Sequence, residues 1–146
     1  MKLTTTLFGI GLFLTAYESF EANIYVTFLK THNVSRADNL IVEYFGNQGN
    51  ITVLLQNADE GYFDENQVNV FIQIDQNVGT IQTAKLYRSE FSKIWEVEYI
   101  ELVVGSINMS TGLVTSPYIY KFDEKNFTLA DSVITLIAEQ KLNFII

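Results

Sequence analysis

The sequence predicts an all-β domain, an eight-stranded antiparallel β-sandwich, and three observations predict it. Apolar and polar residues alternate over most of the chain, the repeat of a strand with one buried face. Gly, Asn and Asp recur between the alternating runs, where tight turns need them. No segment spaces its apolar residues at the helical repeat.

The strands follow in order. Asn23 to Thr31 places Ile24, Val26 and Phe28 on one face. Asn39 to Phe45 is apolar and rich in β-formers, and Asn50 to Gln56 puts Ile51, Val53 and Leu55 on one side. Gln67 to Asp75 alternates most cleanly: Val68, Val70, Ile72 and Ile74 against Asn69, Gln73 and Asp75, with Phe71 the odd member. Thr80 to Arg88 follows the turn at Asn77-Val78-Gly79. In Ile94 to Val104, Trp95, Val97, Tyr99 and Val103 oppose Glu96 and Glu98. Tyr118, Tyr120 and Phe122 share a face, and Val133 to Ala138 forms a last strand, leaving 139–146 as a tail.

The 146 residues suffice for one domain, and 11 Phe and 8 Tyr supply a dense core. The start, MKLTTTLFGIGLFLTAYES, has the order of a secretory signal peptide: Lys2, then an apolar run from Leu7 to Ala16, too short to span a bilayer. The expected signal covers 1–19, with Ala16, Ser19 or Ala22 as its last residue, and the sandwich covers 23–138. A secreted, extracellular chain gives meaning to four Asn-X-Ser/Thr sequons, at Asn33, Asn50, Asn108 and Asn126. Chance alone supplies about two with this composition. Each should be exposed if glycosylated, because a glycan cannot be packed inside. There is no cysteine, hence no thiolate nucleophile or thiolate metal site, and a domain of this size can rely on its core. The net charge of −8 repels phosphate backbones and anionic lipid, which argues against nucleic-acid binding.

The stretch Tyr44-Phe45-Gly46-Asn47-Gln48-Gly49-Asn50-Ile51-Thr52 raises the alternative of a phosphate-gripping loop. Such a loop needs set glycine spacing, a Lys or Ser/Thr at its end and a following helix. Here no Lys follows and the next residues are strand, so a hairpin turn is expected. Catalytic signals are missing too. His32, the one histidine, is expected in a loop, and no Gly-X-Ser-X-Gly elbow accompanies it. Glu96 and Glu98 read as a solvated strand face rather than an acid/base dyad, and no metal motif occurs. The expectation is a protein that is not an enzyme.

The order of motifs resembles the PLAT (lipoxygenase-homology, LH2) domain, most closely the version at the C-terminus of the pancreatic lipase family. The resemblance lies in Ile24-Tyr25-Val26-Thr27-Phe28, then Ser35-Arg36-Ala37-Asp38, then Val42 to Asn50 with its glycine turn. It continues in Tyr62-Phe63-Asp64-Glu65 leading to Val70-Phe71, in Asp75 to Ile81, in Trp95 to Val103, and in Tyr120 to Phe127. It covers about Asn23 to Ala138 and implies an eight-stranded PLAT/C2-like sandwich. The chain departs from the family in lacking the Gly-Thr before Asp38 and the Arg-Gly by Phe63, and Asn69 stands where an Asp is common. Calcium is the one cofactor the resemblance allows: Asp38 carries over plainly, while Asp64 and Glu65 could add oxygen ligands. Trp95 matches the family's strand tryptophan, which reads as a core residue rather than a membrane anchor.

The resemblance implies binding rather than turnover, to a lipid or membrane surface or to an extracellular protein partner. Tyr62, Phe63 and Phe91 are the candidate interface residues, with packing as their other reading. Two alternatives stand beside it. One is a remnant or fragment of a secreted lipase-like protein without its hydrolase domain. The other is an inhibitor or structural protein acting by protein contact on the same scaffold.

Overall fold

The computed structural model describes residues 21–32, 40–55, 68–88, 96–126 and 132–143. These form eight antiparallel strands: β1 (Glu21–His32), β2 (Leu40–Gly46), β3 (Gly49–Leu55), β4 (Asn69–Asp75), β5 (Ile81–Tyr87), β6 (Glu96–Asn108), β7 (Val114–Phe122) and β8 (Val133–Asn143). Their order is β3-β2-β5-β8-β7-β6-β1-β4, a sheet folded into two layers that nearly closes on itself. The expected eight-stranded sandwich is the fold.

β8 makes the corner. Its first half pairs with β5 (Tyr87 opposite Val133, Thr83 opposite Ile137). Its second half pairs with β7 (Phe122 opposite Ala138, Tyr118 opposite Asn143). A strand that changes partners midway carries the ladder from one layer to the other. This is why β8 runs on to Asn143 instead of stopping at Ala138: Gln140, Lys141 and Leu142 each have a partner on β7. β3 and β4 are the two edges, and Gln73 Nε2 donates across the seam to the Thr52 carbonyl at 3.0 Å.

The core lies between the layers. β2 and β3 supply Leu40, Val42, Tyr44, Ile51, Val53 and Leu55, and β6 and β7 supply Ile100, Leu102, Val104, Tyr120 and Phe122. Two tyrosines crosslink it. Tyr44 Oη and Thr27 Oγ1 are hydrogen-bonded at 2.8 Å in a fully buried pair. Burial pushes the Tyr44 phenol far above its ordinary pKa, against the smaller lowering effect of Thr27. Tyr25 Oη donates to the Gln76 carbonyl at 2.6 Å and accepts from Val78 N at 3.3 Å, tying β1 to the β4–β5 connection. Its phenol is also raised, by burial first.

Val78, fully buried, plugs one end of the sandwich beneath the β2–β3 turn. The backbone there is so close that a Cβ on Gly46 would stand 2.1 Å from the Val78 carbonyl oxygen. Only glycine fits that approach. The turn at Asn47-Gln48 is the tip of a two-residue hairpin, as the sequence predicts, with Gly46 opposite Gly49.

Two expectations are corrected. His32 is the last residue of β1, opposite Glu96, and not in a loop. In β6 the buried set is Val97, then Ile100, Leu102 and Val104, so Tyr99 and Val103 do not share Val97's inward face. The register shift against β1 between Lys30 and Thr31 marks where the alternation changes phase.

Candidate functional site

The inward residues of β1 are Tyr25, Thr27 and Leu29, all buried. Ile24, Val26 and Phe28, on the opposite face of this pleated strand, therefore point away from the core. Their partners on β4 are Ile74, Ile72 and Val70, in that order. On β6 Val103 lies opposite Val26, on β7 Ile119 lies opposite Val103, and on β8 Leu142 lies opposite Ile119. One outer face of the protein is thus aliphatic across five strands. Ile72 is 67% exposed, and Val70 and Ile74 are 51% exposed each. Strand spacing and rise give the stripe a footprint of about 300 Å², the size of the largest apolar patch on an ordinary soluble monomer, which is often functional.

The charges beside the stripe are paired. Glu101 and Lys121 approach to 3.7 Å, and Lys30 Nζ lies 3.0 Å from Glu98 Oε2 and 3.2 Å from Oε1. The face is therefore locally neutral on a chain of net charge −8. The outer face of the other layer differs. There Glu43 accepts from Tyr87 Oη at 3.3 Å and from Asn50 Nδ2 at 3.2 Å, and Lys85 Nζ sits 5.3 Å from the Phe45 ring centroid. The Tyr87 phenol is raised by desolvation and by the Glu43 carboxylate.

A second concave feature lies at the hairpin end. A cleft of about 230 Å³ is lined by Asn47, Gln48, Asn77, Ser106, Tyr118 and Lys141, among others, with no carboxylate among the described residues that line it. Lys141 Nζ stands 4.0 Å from the Tyr118 ring centroid, a cation–π distance.

Of the residues singled out by sequence, Asn33, Asp38, Tyr62, Phe63, Asp64, Glu65, Phe91 and Trp95 lie outside the described residues. The other three sequon asparagines are exposed. Asn50 is on the polar outer face, Asn108 ends β6 and Asn126 follows β7. Asn108 Oδ1 accepts from Ser110 N and Oγ, and Asn126 Oδ1 accepts from Val97 N at 3.0 Å. Among the described residues no group of three or more His, Cys, Asp or Glu could hold a metal, and no helix is long and apolar enough to cross a membrane.

Sequence reasoning missed both the outer face and the cleft. The signal for the first was present: Ile24, Val26 and Phe28 on β1 and Val70, Ile72 and Ile74 on β4 each make an apolar face, and only one side of each strand can meet the core. The cleft's amides were read as turn formers, which they also are.

These features define a two-layer antiparallel β-sandwich carrying an exposed apolar sheet face. Solved structures similar to this fold include lipoxygenase chains. A Delta413-417:GS lipoxygenase is 15% identical with a TM-score of 0.57, over 80% of this chain and 16% of that one. A related lipoxygenase in complex with arachidonate gives 16% and 0.56, over 81% and 17%. Coral 8R-lipoxygenase, described as showing calcium activation via a C2-like domain, gives 15% and 0.54, over 79% and 17%. The chain therefore spans about a sixth of the length of the lipoxygenases it matches, and the likeness is one of fold, consistent with a PLAT/LH2 domain. No family model and no curated protein matches the sequence.

Proposed function

We propose that this chain is a non-enzymatic, PLAT-like module that docks on a lipid surface through the aliphatic outer face formed by β4, β1, β6, β7 and β8. The observation that carries the reading is the contiguity of that face: Val70, Ile72 and Ile74 stand beside Phe28, Val26 and Ile24 in register. A sheet with both faces apolar has one face without a partner, and its exposure is unfavourable in water. Local neutrality favours zwitterionic over anionic lipid, because the net charge of −8 opposes the latter. The fold supports the reading by likeness, since coral 8R-lipoxygenase is described as calcium-activated through such a domain. The finer likeness to the pancreatic lipase version rests on the sequence motifs.

Export and glycosylation belong to the same proposal. Asn126 is held at Val97, at the start of β6 and well along the strand from Val103, so a glycan there leaves the aliphatic face bare, whereas one at Asn50 would stand across the β3–β4 seam from it. A glycan at Asn108 would stand beside the exposed Met109 and Leu113 and restrict docking to the β4 side. Calcium at Asp38 and Asp64 would add a bridge to anionic headgroups.

The test is flotation of the purified chain with phosphatidylcholine vesicles, with and without calcium. Co-flotation supports the proposal; a chain that stays in the dense fraction under every condition overturns its lipid form. A second reading, docking of an extracellular protein on the same face, is favoured by the neighbouring structures, in which this fold occupies about a sixth of a longer chain. Capture of a defined protein without vesicle binding would select it. The remnant of a lipase-like protein and the contact inhibitor are special cases of this second reading.

A further inference from the structure

We propose that the cleft at the hairpin end binds a small ligand through an oxyanion, a carboxylate or phosphate group, held by Lys141 and the amide NH₂ groups of Asn47 and Asn77. The orientation of both amides is fixed by the fold. Asn47 Oδ1 accepts from Thr80 N at 2.8 Å, and Asn77 Oδ1 accepts from Gly79 N at 2.8 Å. A backbone N–H can be met only by the amide oxygen, so in each side chain the group left for a ligand is the NH₂ donor. Lys141 adds donors and a positive charge, and its ammonium is positioned over Tyr118. Among the described residues no carboxylate pairs with Lys141. Ser106 and Thr80 contribute hydroxyls to the wall.

Among the described residues the cleft is therefore rich in donors and free of acids, on a chain with 17 acidic residues. The carboxylate two residues from Asn77, Asp75, is occupied elsewhere: Oδ1 accepts from Gln76 N at 2.8 Å and Oδ2 from Gln73 Nε2 at 2.9 Å. Glu139, two residues from Lys141, lines a different cleft beside Tyr99 and Lys121. This is not a phosphate loop. The turn amides are consumed, Asn47 N by the Thr80 carbonyl and Gln48 N by the Val78 carbonyl, so side chains must do the binding. The volume of about 230 Å³ admits one small group. The site is separate from the aliphatic face and stands or falls without it.

The experiment is a titration of the full chain, followed by backbone amide chemical shifts at constant ionic strength. The probes are inorganic phosphate, acetate and, as a neutral control, glucose. Saturable shifts at 47–48, 77–80 and 105–106 with phosphate, acetate or both, and none with glucose, are expected; which oxyanion saturates first tells phosphate from carboxylate ligands. Asn77→Asp keeps the acceptor for Gly79 N but replaces the donor with a negative charge. Lys141→Met keeps the apolar stem over Tyr118 and removes the charge. Each should weaken binding about tenfold or more, the worth of one charge-assisted hydrogen bond. The exposed position of Lys141 keeps its variant informative even if Asn77→Asp disturbs the turn. Linear or absent shifts with both oxyanions, equal shifts with glucose, or unchanged affinity in Lys141→Met would overturn the proposal.

Discussion

Replacing Val70, Ile72 and Ile74 together by threonine should detach the chain from phosphatidylcholine vesicles without unfolding it. Full burial of an aliphatic side chain contributes about 1.5–3 kcal/mol. The three residues leave 51%, 67% and 51% of their surface in water, the equivalent of about 1.7 side chains still to be buried. Complete engagement of β4 with lipid is then worth about 2.5–5 kcal/mol, or roughly two to four orders of magnitude in partition coefficient. Threonine retains one methyl group but adds a hydroxyl that must be desolvated, and these two effects offset. It also keeps the β-branch that suits a strand. Substitutions at such exposed positions should shift stability by only about 0.5 kcal/mol each. The assay is co-sedimentation over a lipid titration, with circular dichroism and a thermal melt as controls. Ile137→Thr, equally exposed on the outer face of the other layer, should leave binding unchanged. Undiminished partition by the folded triple variant, or equal loss in Ile137→Thr, would refute the assignment of this face.

Three further outcomes are expected. Tyr44→Phe removes a buried hydroxyl from Thr27 and should cost about 1 kcal/mol at neutral pH. Because the folded-state pKa of Tyr44 is raised, only the unfolded chain ionises this phenol above about pH 10, and the wild type should lose about 1.4 kcal/mol per pH unit relative to the variant there. Urea midpoints of both proteins at pH 8 and 11 test this, and a difference independent of pH would contradict it. Gly46→Ala must push the Val78 carbonyl aside and should destabilise by about 2–4 kcal/mol, read as a lower urea midpoint with unchanged slope. Mass spectrometry of the exported product should find glycans at Asn50 or Asn126, where the side chains are exposed; unmodified peptides at every sequon would remove glycosylation from the proposal.

The legible parts of the protein were those governed by short-range rules. Ile51, Val53 and Leu55 were placed on one side of β3 and are buried together. The turn at Asn47-Gln48 followed from residues that tolerate tight backbone geometry. The ends of strands were less legible. β8 continues through Glu139, Gln140 and Lys141 because β7 offers partners there, and hydrogen bonding to a neighbour leaves no mark on local polarity. The cleft was illegible for a related reason: its donors come from the β2–β3 turn, the β4–β5 connection and β8, which are far apart in the chain.

The alternation of residues by itself determined that this chain folds as antiparallel strands in a sandwich. It did so because a period of two separates two faces in any extended chain. Which face turns inward was decided only by the tertiary structure. On β4 the polar side that includes Phe71 meets the core, while Val70, Ile72 and Ile74 meet water. The physical reason is register: the pairing of β4 with β1 fixes its phase, and a shift of one residue would exchange the two faces without altering the pattern in the sequence.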